Sequence, residues 1–322
     1  MRYARLAPLD LEQDAVRDAT VAVVGAGATG SRMLAQLARL GADIRIVDRD
    51  VLEEPNLATS ALYTERQVEE RLPKAVAARE RLEAVTPDTT IDPIVEDLTH
   101  RNADSLLDGA DIILDGTDNF ETRHLINEWC VENDVAWVHV SALGVTGEVM
   151  PVVPGETACF NCVFGEVDGA ALATCETAGI APAAAATAAS LGVHAATELL
   201  QGGQPSGLQR FDLDSGVETL AVERRESCTA CAEHAFPYLD GEKGAAATRV
   251  CGEDAYQVTG DAEPDLEQLE NRLDGSGDVV RNPYLLRFDG RETFTVFCDG
   301  RMLVEAASPE EARSIYARFV GS

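Results

Sequence analysis

The sequence predicts an α/β protein: a doubly wound, mostly parallel sheet with a structural zinc site, followed by a small C-terminal α+β module. Three observations predict it. A valine-rich run at 21–24 ends in Gly25-Ala26-Gly27-Ala28-Thr29-Gly30 and opens into a helical pattern. Short apolar runs then alternate with helical segments as far as residue 140. Two CxxC pairs follow, Cys159-Phe-Asn-Cys162 and Cys228-Thr-Ala-Cys231.

Residues 21–24 read as the first strand. Glycines after a strand let backbone N–H groups at a helix N-terminus approach a phosphate. Met33, Leu34, Leu37, Ala38 and Leu40 recur at helical spacing, and Gly41 closes that helix. A second strand, 44–47, ends at Asp48. Strand, glycine turn, helix, strand and acid together make the front of a Rossmann-like sheet. A charged loop leads to a helix at 74–82, then to strands at 91–95 and 112–114. A helix at 120–131 and a strand at 136–140 continue the alternation, which implies helices on both faces of a parallel sheet.

Residues 166–179, rich in Gly and Ala, read as a mobile loop crossing the site. The alanine-rich stretch 182–200 carries His194 and Glu198 and reads as a buried helix, not a membrane span. A turn region at 202–207 precedes a hairpin at 210–222, and 241–247 reads as a linker. Beyond it come a strand at 256–258, a helix at 266–273, strands at 284–288, 294–298 and 302–304, and a final helix at 309–319. The expected division is therefore 1–243 and 244–322.

The 322 residues carry 56 acidic against 26 basic side chains, a formal charge of −30. Lysine occurs only at Lys74 and Lys243. The acids are spread along the chain, and such a charge is screened near molar salt, where the Debye length falls to ~3 Å. That composition fits a halophilic, cytoplasmic protein. It leaves no basic face for direct nucleic-acid binding.

No secretory h-region or cleavage pattern opens the chain. Eight cysteines in such a chain point to a reducing compartment, where thiols and zinc are favoured over disulfides. Two CxxC pairs supply the four soft ligands of a tetrahedral zinc site, and their separation means that the metal ties distant segments together. Two redox pairs are the other reading. Neither pair is expected to open a helix after a strand, as a thioredoxin-like motif does. Cys130, Cys251 and Cys298 follow no pattern, and His139 on an apolar strand reads as a core histidine.

A glycine loop alone would suggest a nicotinamide-dependent dehydrogenase, but that reading explains neither Lys74 nor the cysteines. The chain instead resembles the E1-like adenylyltransferases of the MoeB/ThiF type, which activate ubiquitin-like sulfur carriers. The resemblance spans roughly residues 1 to 240. It rests on Arg2-Tyr3-Ala4-Arg5, the glycine loop, Asp48-Arg49-Asp50-Val51 with its spacing to Asn56-Leu57, and Lys74. Thr117-Asp118-Asn119 with Arg123, Cys175 in a Cys-x-x-Ala-Gly setting, and both CxxC pairs complete it.

The resemblance implies ATP-dependent adenylation of a carrier protein's C-terminal Gly-Gly carboxylate, with release of pyrophosphate. A carboxylate is ionised at neutral pH and needs no general base, so the work is positioning and charge neutralisation. By the same resemblance Gly25, Gly27, Ala28, Gly30, Asn56 and Leu57 would cradle the nucleotide, and Asp48 would accept from the ribose. Lys74 would stand against the phosphates as a point charge, and Asp118, beside Asn119, would hold Mg²⁺. Arg5 would reach into the other subunit's site, which implies a homodimer. Cys175 would take the activated carrier as a thioester or acyl-persulfide.

Asp118 and Asn119 also fit as caps for the helix beginning near residue 120, and Asp50 fits as a turn former. One departure stands out: Thr59 occupies the place where the family carries an arginine, and Arg66 or Arg71 are the nearest candidates to supply that charge. Ala28 replaces a common glycine, which is mild if φ there is negative. The carrier could serve molybdopterin or thiamin synthesis, tRNA thiolation or protein conjugation. Alternatives are a relative that adenylates a small molecule or tRNA, and an impaired homologue that only binds the carrier.

Overall fold

The computed structural model describes residues 3–6, 12–165, 178–243, 255–259 and 264–320. The chain divides into two compact units, 1–68 with 73–244 and 69–72 with 245–322.

The first unit is built on an eight-stranded sheet in the order β3-β2-β1-β4-β5-β6-β7-β8. The first five strands in space are β3 (Ile91–Ile94), β2 (Asp43–Val47), β1 (Thr20–Val24), β4 (Ile112–Asp115) and β5 (Trp137–Leu143). They pair in parallel. β6 (Thr146–Val152), β7 (Leu208–Asp212) and β8 (Gly216–Leu220) extend the sheet in antiparallel fashion.

Alternation along β1 divides the core. Val21 and Val23 face one layer, with α2 (Gly30–Leu40), α5 (Lys74–Glu83) and α9 (Pro182–Leu200). Ala22 and Val24 face the other, with α6 (Ala103–Leu107), α7 (Phe120–Asn133) and α8 (Phe160–Phe164). α2 ends where the sequence predicts, because Gly41 takes the left-handed conformation at φ 91° and its N–H returns to Leu37 and Ala38. Among the described residues this part of the chain also has the shorter helices α1 (Gln13–Arg17), α3 (Glu54–Thr59) and α4 (Glu65–Glu69).

α9 is the buried alanine helix expected from the sequence, with Ala184, Ala185, Ala188, Ala189 and Ala196 inside. Its small side chains allow close approach to β5: a Cβ at Gly192 would come within 2.6 Å of Val140 Cγ2. Among the described residues, no helix is long and apolar enough to cross a membrane.

β6 is a strand that the sequence does not announce, since it contains Gly147 and Pro151. Both have local reasons. A Cβ at Gly147 would meet the ring of the buried Phe211 and the carbonyl of Ser141. β7 pairs with 146–149, so at Pro151 the outer edge of β6 has no ladder partner among the described residues and no N–H is needed there.

The second unit is an antiparallel sheet in the order β10-β11-β12-β13-β9. Its strands are β9 (Ala255–Thr259), β10 (Asp278–Arg281), β11 (Leu285–Asp289), β12 (Thr293–Phe297) and β13 (Arg301–Glu305). α10 (Leu266–Leu273) and α11 (Pro309–Phe319) bury Leu269, Leu273, Ala312 and Ile315 in one cluster with Leu286, Phe288, Phe294 and Val296. Both helices start on side-chain caps, Asp265 accepting from Gln268 N at 2.9 Å and Ser308 from Glu311 N at 3.2 Å. Residues 69–72 join this unit through Asn282, whose side-chain amide donates to the carbonyls of Glu70 and Arg71 at 3.1 Å.

Candidate active site and metal centre

The ends of β1, β2 and β4 lie in register, Val24 opposite both Val47 and Asp115. Gly25, Asp48 and Gly116 therefore follow side by side, where the strand order reverses and open α/β sheets carry their ligands. Gly25 has φ 89°, and a Cβ there would lie 2.7 Å from Gly116 O. A Cβ at Gly30 would collide with the Gly25 carbonyl, and one at Gly116 would reach Gly30 Cα at 3.0 Å. These three glycines are required by backbone meeting backbone. Gly27 is different, because nothing lies within 4 Å of its Cβ position. Its φ is not positive either. Protein packing gives no reason for a glycine there, whereas close approach of a ligand does. Ala28 avoids positive φ as well, so its side chain introduces no strain.

Four charged groups gather around this loop. Asp48 is buried, and its carboxylate accepts from Ala26 N at 2.6 Å and Asp50 N at 2.8 Å. Burial is the main cause that raises its pKa to about 6, with nearby Asp50 adding and Lys74 opposing. Lys74 opens α5, donates its backbone N–H to Asp50 O at 2.8 Å, and places Nζ 2.8 Å from Asp50 Oδ2. Burial alone would lower the pKa of Lys74, but Asp50, Asp48 and, more weakly, Asp118 outweigh it and hold the ammonium protonated. Asp118 is exposed and makes no hydrogen bond or ion pair among the described residues.

The alternative reading of Asp118 as a helix cap is not what the structure has. Asn119 caps α7, its side-chain oxygen accepting from Thr122 N at 2.8 Å. The carboxylate of Asp118 is left to the solvent side.

Asp115, at the end of β4, is the hub that sequence reasoning misses. Fully buried, it accepts from Thr117 N at 2.8 Å, Thr117 Oγ1 at 2.6 Å, Arg123 Nε at 3.0 Å and His139 Nδ1 at 2.9 Å. Burial opposes ionisation, but Arg123 and these donors hold its pKa below the usual carboxylate range. His139 is the core histidine expected, its pKa lowered chiefly by burial. Arg123 also donates to Thr117 O, so the turn bearing Asp118 hangs on a buried ion pair.

Asn56 closes a capping box: its side chain accepts from Glu53 N at 2.9 Å while Glu53 reaches back to its N–H. Leu57 on the same helix is half-buried. Neither arginine suggested for the Thr59 deficit lies free at the loop: Arg66 is 3.0 Å from Glu80, and Arg71 belongs to the second unit, 3.9 Å from Asp289. Arg32, unmarked by the sequence, donates to Ala28 O at 2.6 Å and to Thr59 O. Arg5 is exposed, in a turn whose Tyr3 occupies the space beside Gly41, at the opposite end of α2 from the glycine loop. Its own chain's site is not brought to it. Cys175 and Cys251 lie outside the described residues, as do most of the expected crossing loop and the linker.

The four CxxC cysteines converge. Sγ separations are 3.8 Å for Cys159–Cys162, 3.5 Å for Cys159–Cys228 and 3.4 Å for Cys162–Cys231, with all four within 4.8 Å. Thiolates about 2.3 Å from a tetrahedral ion would stand about 3.8 Å apart, so the cage fits zinc. Cys159 does cap a short helix after β6, contrary to the expectation that neither pair opens one. The convergence of both pairs still favours a metal over redox chemistry. Arg224 and Arg225 brace the cage, Arg224 donating to Cys231 O at 2.9 Å and Arg225 N lying 3.4 Å from Cys162 Sγ.

Residues 3–230 match the ThiF family. The chain is 34% identical to the sulfur carrier protein ThiS adenylyltransferase of Bacillus subtilis, over 99% of each chain. It is 28% identical to the SAMP-activating enzyme E1 of Haloferax volcanii, over 66% of this chain and 80% of that one. The crystal structure of E. coli MccB with ATP superimposes with a TM-score of 0.63 at 19% identity, covering 72% of this chain and 74% of that one, a likeness of fold.

Proposed function

Because the chain belongs to the ThiF family, we propose that it adenylates the C-terminal Gly-Gly carboxylate of a ubiquitin-like sulfur-carrier protein at the expense of ATP. The observation that supports this reading is a cluster in which Lys74 interacts with Asp50, Asp48 and Asp118, with Asp48 bonded to Ala26 of the glycine loop at the switch point of the sheet. The carboxylate attacks the α-phosphorus, the bond to the bridging oxygen breaks, and pyrophosphate leaves. Backbone N–H groups of the 25–30 loop and the Lys74 ammonium bind the phosphates, and Asp48 accepts from the ribose. Asp118 is the oxygen ligand suited to Mg²⁺, which neutralises phosphate charge when bound. Zinc held by Cys159, Cys162, Cys228 and Cys231 would tie 159–162 to 228–231 and serve a structural role. Names of relatives that act on ThiS and SAMP proteins support the partner class.

In this reading the enzyme is a homodimer in which Arg5 enters the partner's site, and Cys175 receives the activated carrier. The charge of −30 fits work in a salt-rich cytoplasm. The test is ATP–pyrophosphate exchange at high salt with ThiS-like and SAMP-like carriers. Exchange that needs an intact Gly-Gly terminus, and that Lys74→Ala and Asp118→Ala abolish without unfolding, is expected. Carrier binding without exchange would leave only a binding partner, and hydride transfer to NAD would overturn the reading.

A further inference from the structure

We propose that Arg32 is a phosphate-binding residue of this site, an assignment that rests on the adenylation reading above. A triphosphate is polyanionic, and most nearby cations are already committed. Lys74 is matched to Asp50 at 2.8 Å, Arg49 to Asp97 at 2.7 Å, and Arg123 to Asp115 at 3.0 Å. Thr59 contributes no charge.

Arg32 lies in the first turn of α2, five residues after Gly27. It is half-buried and forms no ion pair among the described residues. One guanidinium nitrogen spans Ala28 O, at 2.6 Å, and Thr59 O. The remaining N–H groups have no acceptor among the described residues. A guanidinium stays charged and presents five donors in a rigid fork, which matches phosphate oxygens in bidentate fashion. Here that fork is fastened by a carbonyl to the very loop whose Gly27 faces open space. A side chain that served only to join α2 to the end of α3 would need no charge. Gripping two neutral carbonyls with an unmatched cation leaves that charge for an anion.

The experiment measures ATP and adenosine binding by calorimetry with the full, zinc-loaded chain, comparing the parent with Arg32→Gln and Arg32→Ala. Glutamine retains an amide donor for the carbonyls and removes the charge, and so serves if the alanine variant unfolds. Loss of one charge-assisted contact predicts ATP affinity about ten- to a hundredfold weaker, with adenosine affinity unchanged. Equal weakening for ATP and adenosine would make Arg32 a structural staple and overturn the assignment. Unchanged ATP affinity in Arg32→Gln would overturn it too, while leaving the adenylation reading standing. A parent protein that binds neither ligand would overturn that reading and the assignment together.

Discussion

At the residue scale, Asp115 and Asp118 stand three positions apart and do opposite things. Asp115 is buried against Arg123 and His139, so Asp115→Asn strands a buried cation. Breaking one partner of such a pair costs about 3–5 kcal/mol, to be read as a lowered denaturant midpoint. Asp118→Asn, at an exposed position, is expected to leave that midpoint within about 0.5 kcal/mol while abolishing pyrophosphate exchange. Asp48 carries a pH dependence. Its folded pKa is raised from 3.8 to about 6, so its contribution to stability is fully present below the lower value and is lost as pH rises through the upper. The loss is on the order of 3 kcal/mol. Asp48→Asn removes it, and the stability difference between variant and parent should therefore move in the variant's favour from about pH 4 to 7. A pH-independent difference would show that Asp48 titrates normally. Asp48 was legible as an acid at a strand end. Asp115 was not, because an aspartate after three apolar strand residues shows its partners only when 123 and 139 fold onto it.

At the element scale, α2 could be read from the sequence because its apolar periodicity and closing Gly41 are local signals, and α7 because its capping Asn119 is. β6 could not, since the reasons for Gly147 and Pro151 are Phe211 and the short reach of β7, both distant in sequence. α9 shows how far such contacts constrain an element. Gly192→Ala would ordinarily favour a helix, but here the new methyl meets Val140, and overpacking is expected to cost about 1–3 kcal/mol in thermal or denaturant unfolding. The cysteine cage joins segments 69 residues apart. If a metal there acts as a cross-link, closing such a loop is worth about 4 kcal/mol in the chain-entropy model. Chelation should therefore lower the unfolding midpoint, release close to one zinc per chain, and leave Cys228→Ser insensitive to chelator.

At the scale of the whole molecule, the order of motifs was enough to point to the family. Arg5 lies at the far end of α2 from its own glycine loop, which is the arrangement expected if it serves a partner. Mixing Arg5→Ala with Asp118→Ala tests this directly. If sites are shared in a two-fold dimer, random exchange of subunits restores about a quarter of parental activity, because one site of each mixed dimer escapes both lesions. No recovery would place Arg5 outside the partner's site. The charge of −30 was plain from composition, but composition says nothing of where two scarce lysines go.

One of those lysines is the ammonium fixed by Asp50. An acyl-adenylate is a mixed anhydride, and a neutral amine beside it would be acylated, which would trap the carrier on its own enzyme. The acids that keep Lys74 charged thus also remove its nucleophilic lone pair. On the adenylation reading, the contact that holds Lys74 charged for phosphate would also protect the enzyme from its own product.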